Sequence, residues 1–232
     1  MNTHRTRFVQ NISRCLGREA PSGEATLLEL PNQVQNEYMK GASTEQLKSV
    51  FITNALAAGT AVHECTVESL NAAILAAISQ LAEGTILLSD DPMWEEHQTV
   101  GALEKVHGRI HTWDLQRSRE HNIAVAESAA VGIVVAQLAL AETGTVMVYS
   151  HAGCGRSVTL LPYTTVFIIP EENIVPHLTQ SMDHLQQKSK SALPSSINFI
   201  SGASSTSDIE LVRVQGVHGP VKIAFVILRS FA

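Results

Sequence analysis

Charge, cysteine and long apolar runs are all scarce in this 232-residue chain. Charged side chains make up 16% of it, against roughly 25% in an ordinary globular protein. The formal net charge is −6, which excludes the basic surface that non-specific nucleic-acid binding needs. The three cysteines, Cys15, Cys65 and Cys154, are odd in number and dispersed. They fit neither a disulfide framework nor a four-thiolate zinc or iron–sulfur site within the chain. The most apolar stretches, residues 69–82, 128–141 and 157–170, stop short of the roughly 18–20 residues of a bilayer span. No apolar run follows the basic residues at the start, so no secretory signal is expected and a cytoplasmic setting is.

What is present is a core. Hydrophobic residues make up 44%, enough for one buried domain with an appendage. The beginning reads as helical. Phe8, Ile12, Cys15 and Leu16 share one face of a helix over 7–16, and Thr44 is placed to cap a second helix reaching Gly59. Residues 1–40 therefore read as an N-terminal helical arm, mobile or in contact with a partner, and residues 41–232 as an α/β domain.

From residue 61 the pattern alternates. Strands are expected over 61–65, 85–89, 109–113, 123–126, 131–135, 138–141, 145–149, 165–169, 197–201 and 221–228. Helices are expected over 67–82, 94–106 and 175–190. Uninterrupted apolar strands are buried on both faces, the mark of a mainly parallel sheet covered by helices. The strands between 131 and 149 are too close in sequence for crossover helices, so some should pair antiparallel.

Several familiar motifs fail on spacing. The run from His151 to Arg156 has the composition of a cysteine phosphatase loop, but Arg156 lies only two residues past Cys154, and a glycine turn is the simpler reading. His63-Glu64 lacks a second histidine at helical spacing, and Gly108 separates His107 from His111, so no metal site is assigned. There is no phosphate-binding Walker loop, no G-x-G-x-x-G after a strand and no G-x-S-x-G elbow.

Three loops combine glycine, hydroxyl and charge. In the first, Glu142, Thr143, Gly144 and Thr145 form either a hairpin turn or a carboxylate with amides at a strand end. The second follows strand 197–201. Gly202, Ser204, Thr206, Asp208 and Glu210 offer close backbone approach and donors for an anion, and Ser207 with Glu210 also fits a capping box. The third brackets His218 with Gly216, Gly219 and Pro220, which serves either a tight turn or a positioned imidazole for proton transfer or anion binding.

Taken together, these residues resemble the lactate utilisation protein C family, the LUD-domain proteins. Their C-terminal signature is matched by Gly202, Ser204, Thr206, Asp208-Ile209-Glu210 and the whole of Gly216-Val217-His218-Gly219-Pro220. Ala141-Glu142-Thr143-Gly144-Thr145 matches the family's acid-Thr-Gly-Thr segment. Ala203, Ser205 and Ser207 depart from the family pattern, Ser205 standing at a position where arginine or asparagine is common. The resemblance implies a Rossmann-like mixed, mainly parallel sheet like that of the sugar-phosphate isomerase, deaminase and coenzyme A transferase superfamily. It further implies a subunit without a cluster of its own, needed with iron–sulfur partner subunits for oxidation of L-lactate to pyruvate and placed to bind a small carboxylate. No cofactor is expected in this chain. The alternative it leaves open is a stand-alone enzyme of that superfamily using Glu142, Asp208 and His218 as catalytic groups.

Overall fold

A computed structural model describes residues 3–19, 32, 34–79, 84–106, 109–189, 193–207 and 214–229. The chain divides into two compact units, Met1–Val34 and Gln35–Ala232. In the first, Thr3–Cys15 forms helix α1.

The second unit begins with α2, Thr44–Ala57, then β1, Ala61–Thr66, α3, Leu70–Ser79, and β2, Ile86–Leu88. Two short helices follow, α4, Met93–Glu96, and α5, Thr99–Glu104, then β3, Ile110–Thr112, α6, Arg119–Ser128, and β4, Val131–Val135. A hairpin of β5, Leu138–Leu140, and β6, Thr145–Tyr149, leads to α7, Ser157–Leu160, β7, Thr164–Pro170, and β8, Ile174–Val175. The rest comprises α8, Leu178–Ser189, β9, Ile197–Ile200, β10, Ser205–Thr206, β11, Val214–Gln215, and β12, Lys222–Arg229.

Six strands make one sheet in the order β1-β12-β7-β4-β2-β3, and every neighbouring pair in it is parallel. The reason is visible in β7. Val166 and Ile168 pack on one face with Leu70, Ile74 and Ile78 of α3, while Phe167 and Ile169 pack on the other with Phe51 of α2 and Phe225 of β12. Phe225 lies 5.4 Å from Phe51 and 5.9 Å from Phe167, centroid to centroid. Burying each such ring contributes about 1.5–3 kcal/mol, so a strand apolar at every position is stable only between two layers. A second sheet, β8-β5-β6-β9, packs one side against the α2 layer and turns Leu138, Leu140 and Met147 towards Leu185 of α8. The expected antiparallel pairing occurs in β5 with β6, and β6 also pairs antiparallel with the later β9.

Three local expectations need correction. Residues 123–126 lie in α6 and not in a strand: Ser118 caps it through its hydroxyl, which accepts from His121 N. Asn122 anchors it by donating to Asp114 O at 2.8 Å. A four-residue apolar run cannot by itself separate a strand from a buried helix turn. The helix expected over 94–106 is split, because Gln98 adopts a left-handed conformation, φ 51°. The cap of α2 is Ser43, not Thr44. Its hydroxyl accepts from Gln46 N while Gln46 Oε1 accepts from Ser43 N, a complete capping box.

The order of the parallel strands sets the stage for a site. From β2 the chain steps outward to β3, then returns to β4 and proceeds through β7 to β12. The order thus reverses between β2 and β4, and ligands of open α/β sheets gather at the carboxyl side of such a reversal.

Candidate functional site

The loop from His151 to Arg156 lies beside that reversal, against the segments that follow β2 and β3. Asp90 N, just past β2, donates to Gly153 O at 2.6 Å, and Gly153 packs so close that a Cβ there would strike Asp90 O. Gly155 packs in the same way on the ring of Trp113, which follows β3. His151 and Cys154 close the turn with a reciprocal pair of backbone hydrogen bonds. Gly153 N donates to His151 Nδ1 at 3.2 Å, so in the neutral ring the proton sits on Nε2.

Beside this loop lies a cleft of about 950 Å³. Arg119 from the start of α6 and Arg156 from the loop bring two guanidinium groups to it, and His151 and His218 bring two imidazoles. Trp113, Leu160 and Leu161 supply apolar wall. Ser150, Ser195 and Ser196 line one end. There Ser196 N donates to Ser150 Oγ at 3.1 Å, and the Ser150 and Ser195 hydroxyls lie 2.9 Å apart. All four basic side chains are solvent-exposed, so they are free to meet an anion without first breaking a buried ion pair. Donors of this kind around an apolar wall suit a carboxylate or phosphate.

Two of the three signature loops meet here through Ser204. Its N–H donates to Pro220 O at 3.0 Å, its carbonyl accepts from Gly216 N at 2.8 Å, and its hydroxyl lies 3.4 Å from His218 N, which donates to it. Ser205 and Thr206 pair antiparallel with Gln215 and Val214, and Gly216 takes φ 76° to turn the chain. Gly216, His218 and Gly219 line the cleft. Asp208 and Glu210 lie outside the described residues.

The first loop is placed elsewhere. Glu142 is exposed, and it is not among the residues lining the cleft. Asn54 of α2 donates to Ala141 O at 2.8 Å and to Glu142 O at 2.9 Å. The Thr143 and Thr145 hydroxyls lie 2.7 Å apart, and Gly144, φ 59°, lies against the backbone of Ala55. Ser201 Oγ donates to Thr143 O at 3.2 Å, and a Cβ on Gly202 would lie 2.7 Å from Ala58 O. Glu142–Thr145 and Gly202 thus form a seam with α2. Thr145 and Ser150 bound β6 at opposite ends, about 16 Å apart at the rise of an extended strand.

The buried thiol in the loop is not poised to attack. Burial, and secondarily the charge of Asp91, push Cys154 up to about 12, and burial pushes Cys65 up to about 11. At neutral pH both are thiols rather than thiolates. A smaller cavity of about 210 Å³ opens at the carboxyl ends of β1 and β12. Its floor is Lys48, whose side chain is 2% exposed and whose ammonium reaches Glu45 at 2.8 Å, Glu171 at 3.3 Å and Glu64 at 3.4 Å. Burial would pull the Lys48 pKa down, but the hydrogen bonds its ammonium donates to Glu45 and Glu171 outweigh that and hold it above its ordinary value. Three carboxylates match three ammonium hydrogens, so Lys48 bolts α2 to β1 and to the turn after β7. Among the described residues no group of three or more His, Cys, Asp or Glu is placed to hold a metal ion.

Arg119, His151, Arg156 and Trp113 were not singled out as site residues from the sequence. Arg156 belongs to a loop that reads as a glycine turn, which it is, yet the turn delivers two basic side chains, His151 and Arg156, to the cleft. The available signal was a glycine-rich turn ending in arginine after a buried strand. Arg119 carried no signal beyond its position after a helix cap.

A family model described as LUD domain matches residues 48–228. The "Lactate utilization protein C" of Bacillus subtilis is 36% identical over 227 residues, 95% of this chain and 94% of that protein. The one of Bacillus velezensis is 34% identical, covering 98% and 97%. The "Uncharacterized protein YkgG" of Escherichia coli K12 is 36% identical, covering 98% and 99%. Among solved structures, a DUF162 family protein from Deinococcus radiodurans has a similar fold, with TM-score 0.56 at 18% identity over 80% of this chain and 98% of that one.

Proposed function

The chain belongs to the LUD domain family, and from that premise we propose that it serves lactate utilisation as a subunit that holds a small carboxylate in the Arg119–Arg156–His218 cleft. Its relatives of similar length carry the name lactate utilization protein C, which supports the pathway. The observation that carries the ligand is the convergence of two guanidinium groups and two imidazoles on one apolar-walled cleft. A 2-hydroxy or 2-oxo acid needs this mixture: a fork of donors for its carboxylate and a titratable group near its hydroxyl or carbonyl.

The oxidation itself moves two electrons, and dispersed cysteines give this chain no ligand set for a cluster. Iron–sulfur partner subunits are therefore assigned the electron transfer, and the cleft, far larger than a three-carbon acid, leaves room for a segment of such a partner. A stand-alone transferase or isomerase built on Glu142, Asp208 and His218 is less well supported, because Glu142 stands at the α2 seam. Isothermal titration of the chain with L-lactate and pyruvate tests the reading. Binding that weakens at least tenfold in Arg156→Ala is expected, since removing a charge-assisted pair costs about 1.5–3 kcal/mol. Absence of binding by either acid, alone or with the partner subunits, would refute the ligand.

A further inference from the structure

Residues 3–18 contain Arg5, Arg7, Arg14 and Arg18 and no acid, while the rest of the chain carries 12 of the 16 basic residues and all 22 acidic ones. All four arginines are exposed. On α1, Phe8 is 65% exposed, Ile12 45% and Leu16, just past its end, 61%, with Val9 beside them. Spacing of four puts these side chains in one stripe. An amphipathic helix normally buries such a stripe in a core, and here its side chains are exposed. The arm lies before the matched domain, which starts at residue 48. Yet a lactate utilization protein C relative aligns over 99% of this chain, so the arm accompanies the domain without being part of it.

We propose that α1 is an interfacial helix that docks the protein on an anionic phospholipid surface. The 13-residue helix is about 20 Å long, too short to cross a bilayer of about 30 Å. It lies in the plane of the headgroups with Phe8, Ile12 and Leu16 buried among the acyl chains. Charge complementarity selects the lipid. At 3.6 residues per turn, Arg5 sits over the stripe, while Arg7 and Arg14 lie round the helix from it. Positive charge spread in this way fits a laterally uniform negative surface better than the fixed carboxylates of one protein groove, and long arginine side chains snorkel to the headgroups. The remainder of the chain is acidic and is repelled by that surface, so adsorption is confined to the arm. Docking through α1 is independent of whatever ligand the cleft holds.

The test is flotation of the full-length protein with vesicles of phosphatidylcholine alone and of phosphatidylcholine mixed equally with phosphatidylglycerol. Binding to the mixed vesicles only, released by high salt, is expected. Phe8→Asp with Ile12→Asp should abolish it. Arg7→Gln with Arg14→Gln should weaken it about 25-fold, roughly fivefold per arginine, with melting temperatures unchanged because these side chains are exposed. Absence of binding at low salt, equal binding to neutral vesicles, or undiminished binding by the arm variants overturns the proposal. So does an arm variant that still binds vesicles but no longer assembles with another protein, which would point to a protein groove.

Discussion

Gly144→Ala should destabilise the protein by about 3 kcal/mol while leaving ligand affinity intact. Gly144 adopts φ 59° in the turn between β5 and β6, and an added Cβ would lie 2.7 Å from both Ala55 Cα and Asn54 C. These are backbone atoms in the last turns of α2, so no side chain can rotate out of the way. The left-handed conformation alone costs a non-glycine residue about 1 kcal/mol. Relieving the clash moves the hairpin off α2 and loosens both Asn54 hydrogen bonds to the carbonyls of Ala141 and Glu142, at about 1 kcal/mol each. For a domain of this size the sum corresponds to a fall in Tm of about 6–12 °C. Thermal melting by circular dichroism reads this directly, and calorimetric titration well below Tm reads the affinity. A Tm within about 1 °C of the wild type would refute the seam. A stable variant that no longer binds would instead put the Thr-Gly-Thr segment in the site.

His218→Ala should keep the native Tm, because the residue's backbone N–H, not its exposed ring, bonds to Ser204, yet weaken carboxylate binding; equal affinity in titration would count against the imidazole. Lys48→Met should lower stability by about 2 kcal/mol, less than for a fully buried pair since Glu45 and Glu64 reach water; urea unfolding at neutral pH measures it. The thiol of Cys154 is pushed from 9.0 up to about 12, so above pH 9 the unfolded chain releases a proton that the folded one keeps. Stability is therefore complete below pH 9 and falls as pH rises towards 12, by up to about 1.4 kcal/mol per pH unit. Urea midpoints at pH 8 and pH 10 should differ accordingly, and Cys154→Ala should flatten part of that slope, with Cys65 supplying the rest.

Elements buried on both faces were the most legible. The run from Thr165 to Ile169 admits no solvent face, and β7 is indeed central. The order of strands was not legible, because β1 pairs with β12 from the far end of the chain and nothing local encodes that partner. The 123–126 run failed for a different reason: Asn122 and Ala126, four apart, form the buried face of a helix, while Ile123 and Val125 suggest alternation. In the site, the match of Ser204 and His218 to one signature reflects a direct contact. Arg119 and Arg156 are ordinary surface residues in sequence and become a pair only when α6 and the 151–156 loop are brought to one cleft. The Glu142 segment sits among glycine and hydroxyls like a ligand loop, because packing a turn against a helix demands the same small and polar residues as packing it against a ligand.

Growth on L-lactate links the cleft to the function most directly. A bacterial strain lacking its own copy of this protein, supplied with the full chain, is expected to grow on L-lactate as sole carbon source. The Arg119→Ala, Arg156→Ala double variant, at equal protein level and unchanged Tm, is expected not to support that growth. Full growth with the double variant would contradict the role assigned to the cleft.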